Sequence, residues 1–413
     1  MALAAALVLV TWALAQELAQ QLEDTFYVPL DDPAIQYGER PVDDPVARLE
    51  RRLEAGQAKL EVAPNGWGYL PSVLKQLGVN PDSQALVFSK TSTQVENINP
   101  RTPRAIYFSD DVLVGFVRNS DVLEIASLDP KQGVQLYVLV NSAKPEFAPS
   151  QGCLRCHQGA VTLGVPGLLV SSVHPVSQTR SEHGNAFMTD DRSPLSGRWG
   201  GWYVTGTTGS QTHFGNNTNL VDPVRSGGPS TQPTQNLTSL TGFFDTSKYI
   251  EPTSDIVALM TLEHQVRMTN LMIRIGWDAR MGMAEDKLNP EIEEMLKYML
   301  FADEEPLREP VKGVSTFTDT FPKRGPRDPK GRSLRDFDLK TRLFRYPLSY
   351  MIYSAAYDGM PDKVRERVYQ RLFEILTGKD TSKTFAGLTP ETRGAILEIL
   401  RATKTSLPPE WRL

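Results

Sequence analysis

Between residues 61 and 175 the chain alternates short apolar, β-branched runs with polar breaks: ALVFS at 85–89, AIYF at 105–108, VLVGFV at 112–117, VLEIA at 122–126 and VQLYVLV at 134–140. Runs of this length, separated by Asp110-Asp111, Asn119-Ser120 and Asp129-Pro130, predict antiparallel strands at hairpin spacing. Residues 164–173 return as another extended segment, and Trp202-Tyr203-Val204 as a short strand among glycines. Beyond Pro252 the period changes to that of a helix. Ser254 is placed to cap a helix running to about Arg274, with Met260, His264, Met268 and Leu271 on one face. Further helices are predicted from Asn289-Pro290 through Phe301, from Pro361 through Leu376 and from Thr389-Pro390 through Thr403, Pro at the first helical position marking the starts. A polar loop over 317–332 divides them. Ahead of the strands, residues 16–60 are polar and helical in part, with Asp44 able to cap a helix that begins at Pro45. The pattern therefore predicts an α+β chain: a polar arm at 16–60, a sheet domain at 61–250 and a mainly α-helical C-terminal region at 251–413.

The 413 residues, 40% of them apolar, supply ample material for a core. A net charge of −5 with no basic tract argues against nucleic acid as a partner. Residues 2–15, ALAAALVLVTWALA, are uncharged, too short to span a membrane and end in Ala13-Leu14-Ala15, the form of a secretory cleavage site. No Lys or Arg precedes that run, so an uncleaved anchor is the alternative, and only then would the protein meet a membrane. A secreted protein, periplasmic or extracellular, is expected.

The chain has two cysteines, and both stand in one five-residue run, Cys153-Leu154-Arg155-Cys156-His157. This spacing is the signature for covalent attachment of a c-type haem: each thiol adds to one haem vinyl group and the adjoining imidazole reaches the iron. A redox dithiol or a zinc site is the competing reading. Zinc would need ligands from His174, His183, His213 and His264, none of which lies at short ligand spacing from another. One covalent haem c is therefore the expected cofactor, with Cys153, Cys156 and His157 as its binding residues. Phosphate loops, His-Glu-x-x-His pairs and nucleophile elbows do not occur in the chain.

The second axial position decides what such a haem does. A His or Met there closes the iron and leaves single-electron transfer to a redox partner protein; an open position admits peroxide, oxygen or another ligand. His264, on its amphipathic helix, and His213, in the Gly-rich loop, are the candidate metal ligands, with Met188, His174 and His183 behind them. Arg198 and Arg267, with either histidine, are candidates for polarising a ligand at an open iron. Glycines at 200, 201, 206 and 209 would let backbone approach a flat surface such as haem. Electron transfer is the leading expectation. A peroxidase- or oxidase-type haem enzyme and a haem-based sensor remain open beside it.

The run at 153–157, together with Ser89-Lys90-Thr91-Ser92, Arg104 to Phe108, Arg198 to Gly206, Leu262 to Gln265 and Arg342 to Pro347, resembles a group of secreted bacterial monohaem proteins known as cytochrome c domain-containing. The resemblance implies a haem protein and implies no reaction. In that group a His often precedes the glycine equivalent to Gly209; here Thr208 stands there, which is no strong iron ligand. A haem motif late in a sheet domain is also similar to the order of PAS-like haem domains.

Overall fold

The computed structural model describes residues 27–90, 92–174, 185–218 and 234–412. The apolar run at 2–15, His183 and most of the Pro- and Gly-rich stretch from 221 lie outside these residues. No helix among the described residues is long and apolar enough to cross a membrane.

The chain enters through helix α1 (Pro45–Glu54), where Asp44 Oδ1 accepts from the backbone N–H groups of Val46 and Ala47 as its sequence position predicts. Helix α2 (Leu70–Gln76) follows. Strands β1 (Ala85–Val87), β2 (Arg104–Phe108), β3 (Val112–Phe116), β4 (Val122–Asp129), β5 (Gly133–Val140) and β6 (Phe147–Pro149) form an antiparallel meander. Next come the short helix α3 (Leu154–His157), the hairpin of β7 (Ser171–His174) with β8 (Asn185–Met188), and β9 (Trp202–Tyr203). The main sheet has the order β6-β5-β4-β3-β2-β1-β9. Hence the chain between β6 and β9 passes from one edge of the sheet to the other.

Alternation along the strands gives the sheet two faces. Ala105, Tyr107, Val112, Val114, Leu123 and Leu139 point to one side and pack with Val46 and Leu49 of α1 and Leu70 and Val73 of α2. The apolar stripe of α1 thus packs on this face of the sheet, while Arg48, Arg51, Arg52 and Glu54 stay exposed. Val87, Phe108, Leu128 and Leu136 belong to the other core, shared with the helical region.

That region is led by α4 (Ile256–Arg280), almost all of whose residues are buried. Its cap is Asp255, not Ser254: Ser254 Oγ donates to Tyr203 O and accepts from Leu86 N, joining the helix start to β1 and β9. Helix α5 spans Glu285–Met299, so Pro290 lies inside it rather than at its start. Short α6 (Phe317–Thr320) falls in the predicted polar loop, followed by α7 (Ala355–Gly359), α8 (Asp362–Leu376) and α9 (Pro390–Thr403), the last opened by Thr389 as its capping residue. The observed class is α+β, a seven-stranded antiparallel sheet with a helical C-terminal region.

Candidate functional site

Cys153 ends a 3₁₀ turn, and the next four residues are the single turn α3, so Cys153 and Cys156 stand three positions apart on one helical face. Both thiols are free, and Cys156 is exposed. They border an open cleft of about 110 Å³ whose walls are His157 and Leu168 on the side of the motif and Val87, Ile106, Leu113, Ala126 and Leu136 on the sheet. Strand alternation explains that wall: these are the residues the first core leaves on the opposite face.

His157 is held from behind. Its Nδ1 lies 2.9 Å from Gly167 O, and Gly167 N donates back to His157 O at 2.8 Å. A carbonyl can only accept, so Nδ1 carries the proton and Nε2 keeps its lone pair. Burial lowers the imidazole's pKa, opposed by the Gly167 bond, with the Arg104 charge lowering it further. A neutral ring is what ligation of a metal needs.

Gly167 is fixed in turn by α4. Asn270, fully buried, accepts from Leu168 N at 2.9 Å and donates to Leu168 O at 2.7 Å. A Cβ on residue 167 would come within 2.4 Å of Asn270 Oδ1, so only glycine fits between the histidine and the clamp. Trp202 of β9 donates its indole N–H to Ser171 O at 2.8 Å and closes the far end.

The sheet wall carries one charged pair. Arg104 Nη2 lies 2.6 Å from Glu124 Oε2, with side chains 19% and 13% exposed. Thr93 Oγ1 and Ser92 Oγ also donate to Glu124, at 2.9 and 3.1 Å. Burial pushes the Glu124 carboxyl up, but Arg104 and these hydroxyls outweigh it and hold it below the usual carboxylate value. Gly115 pairs with Ile106 on one side and Glu124 on the other, and a Cβ there would lie 2.5 Å from Arg104 Nη2. The missing side chain leaves the guanidinium room to cross β3.

Of the residues singled out in the sequence, Cys153, Cys156 and His157 meet at this cleft, whereas His264 and His213 do not line it. His264 is fully buried, with Nδ1 3.1 Å from Asp191 Oδ2, Nε2 2.7 Å from Ser349 Oγ, and its ring stacked on Phe301 at 4.3 Å. Both of its nitrogens are engaged by protein groups, and it packs in the core away from the cleft. His213 packs edge-on to Trp199 at 5.5 Å, and burial lowers its pKa to about 4. It too is a core group rather than a ligand at the cleft. Met188 packs on the core, and His174 lies in β7. Arg198 is committed to Glu263 at 3.2 Å and to the carbonyls of Asp191 and Ser193, and neither it nor Arg267 lines the cleft.

The glycines near β9 serve protein contacts instead of the cleft. A Cβ on Gly200 would meet Val173 O at 2.0 Å, one on Gly206 Ile256 Cγ2 at 2.4 Å, and one on Gly209 Glu309 Oε2 at 1.9 Å. Ser349, His264 and Asp191 together have the hydrogen-bond order of a hydrolase triad, but all three are buried, and a nucleophile without access has no substrate. Among the described residues no three His, Cys, Asp or Glu side chains gather as a set for a metal ion. Sequence reading missed Gly167, Asn270, Arg104, Glu124 and Gly115. Only Gly115, a glycine inside an otherwise apolar strand, carried a signal.

Compared with known proteins, the chain matches no family model, no curated protein and no solved structure.

Proposed function

We propose that the protein is a secreted monohaem c-type cytochrome that exchanges single electrons with a redox partner protein. Cys153 and Cys156 would hold the haem covalently, and His157 would be a nitrogen ligand to its iron. The observation that carries this reading is the bond from His157 Nδ1 to Gly167 O beside two free thiols at the mouth of an apolar cleft. Such an outer bond orients a metal-binding imidazole and raises its basicity. When bound, haem supplies a one-electron couple at its iron. The chain does the remainder: Gly167, fixed by Asn270, holds the Nδ1 side of the ring and leaves Nε2 its lone pair, and the apolar sheet residues exclude water, which tunes a redox couple. Export before attachment fits the apolar run at 2–15, and the likeness to secreted monohaem proteins points the same way.

One observation favours a second reading, a haem enzyme of peroxidase or oxidase type with an open iron. Among the described residues lining the cleft, His157 is the single histidine and no methionine is present.

The test is production of the full chain with a c-haem maturation system, followed by mass spectrometry after denaturation. One haem that survives denaturation in the wild type and is lost in the Cys153→Ala/Cys156→Ala variant supports the proposal. A haem-free chain with a Cys153–Cys156 disulfide would sink it.

A further inference from the structure

The cleft wall facing the motif is not uniformly apolar, and its polar part is built with some cost. An ion pair withdrawn from water loses hydration that its mutual attraction only partly restores. Yet Arg104 and Glu124 are set on this wall, with a glycine at 115 in place of the bulky residue a strand favours. Arg104 and Glu124 line the same cleft as Cys153, Cys156 and His157, so pair and motif address the same space.

We propose that Arg104 is the hydrogen-bond donor for a small diatomic or peroxide-class ligand that enters this cleft, and that Glu124 is a positioning residue that holds Arg104 for it. The proposal rests on the reading of 153–157 as a haem motif and follows its open-iron form, naming the class of ligand that the cleft would admit beside the haem. Four features select this class. Arg offers only donors, five N–H groups with no acceptor, so it suits an atom that gains negative charge when its partner binds metal. Glu124 already accepts from Arg104, Ser92 and Thr93, which leaves it to fix the guanidinium rather than to contact a ligand. The guanidinium is not saturated: Arg104 Nε is buried and has no acceptor among the described residues. Because the pair as a whole is neutral, it exerts little long-range pull on preformed anions.

The experiment uses the haem-loaded full chain as wild type, Arg104→Leu, Arg104→Lys and Glu124→Gln. Carbon monoxide is the probe of the reduced protein and cyanide of the oxidised one. Wild type is expected to bind carbon monoxide with a shifted Soret band. In Arg104→Leu the infrared C–O stretch should rise and cyanide affinity should fall about tenfold, the loss of roughly one charge-assisted hydrogen bond. Arg104→Lys, which keeps the charge, should recover part of both, and Glu124→Gln should broaden the C–O band. A wild type that carries covalent haem but ignores carbon monoxide overturns the inference and leaves the haem reading standing. An unchanged stretch and affinity in Arg104→Leu overturn it as well, and assign Arg104 to a haem propionate or to the fold alone. Should Arg104→Leu fail to fold, Arg104→Lys and Glu124→Gln carry the same comparison. A wild type without covalent haem defeats both readings and is recognised by its mass.

Discussion

Replacing Asn270 with Ala removes the clamp between α4 and the segment behind His157. Two hydrogen bonds vanish, from Leu168 N at 2.9 Å and to Leu168 O at 2.7 Å, and Leu168 is itself buried. Each backbone group left buried without a partner costs about 1–3 kcal/mol, so the pair gives a loss of about 2–6 kcal/mol. A water entering the vacated space would bring the figure to the lower end. Urea unfolding of the full chain measures it, as a fall in midpoint with unchanged slope. The local consequence is specific: with Gly167 released, the His157 Nδ1 proton loses its acceptor. Nitrogen NMR of the imidazole should then report a mixture of tautomers where the wild type shows one. Asn270→Asp keeps the acceptor and loses the donor, so it should retain the Leu168 N bond while adding a buried charge. A loss under about 1 kcal/mol in Asn270→Ala, with a single His157 tautomer preserved, would refute the clamp.

Gly115→Val should displace the Arg104 guanidinium, since a Cβ at 115 meets Nη2 at 2.5 Å. Stranding Glu124 should cost about 3 kcal/mol in urea unfolding, and a change below about 0.5 kcal/mol would contradict the packing. His213 should make the fold acid-sensitive. Its folded pKa of about 4 lies below its ordinary value of 6.5, so the unfolded chain binds the extra proton first. The stability present above pH 6.5 is therefore lost as pH falls towards 4, by roughly 3 kcal/mol at full titration. His213→Gln should flatten that part of the stability profile. Ser349 should not react with a fluorophosphonate in the folded protein, because it is fully buried. Labelling of Ser349 under native conditions would show that the Ser349–His264–Asp191 array opens to solvent.

Strands were legible where local chemistry decides them. The β2 to β5 runs end within a few residues of their predicted bounds because each has a turn of Asp, Asn, Ser or Pro on either side. Helix α9 was legible to the residue, since Thr389 and Pro390 state its start. Ser254 was misread because its hydroxyl answers to β1 and β9, and such a partner has no trace in the residues nearby. Pro290 sits inside α5 because Glu285 and Asp286 begin the helix a turn earlier, with their charges at its positive end. At the site, the motif was visible as spacing, but its supports are not. Arg104 and Glu124 lie on strands that pair only through β3, and Asn270 reaches Leu168 from a helix far along the chain. His264 looked exposed to choice in an amphipathic pattern. The pattern could not show that α4 is covered on nearly every side, where a histidine's nitrogens find protein partners before any metal does.

The crossing of the chain from β6 to β9 also sets an order of events in time. Six strand spacings separate those edges, about 29 Å of sheet that the thiol-bearing segment must bridge. Strands β1 to β6 are neighbours in sequence and can zip together hairpin by hairpin as the polypeptide emerges. The pairing of Leu86 with Tyr203 has to wait for the intervening loop to close, and the Asn270 clamp for later residues still. Folding in that order would leave the segment carrying Cys153 and Cys156 next to β6 but not yet fastened by β9 and α4. Any catalyst that must handle both sulfurs has its opening then, before that segment is fastened down.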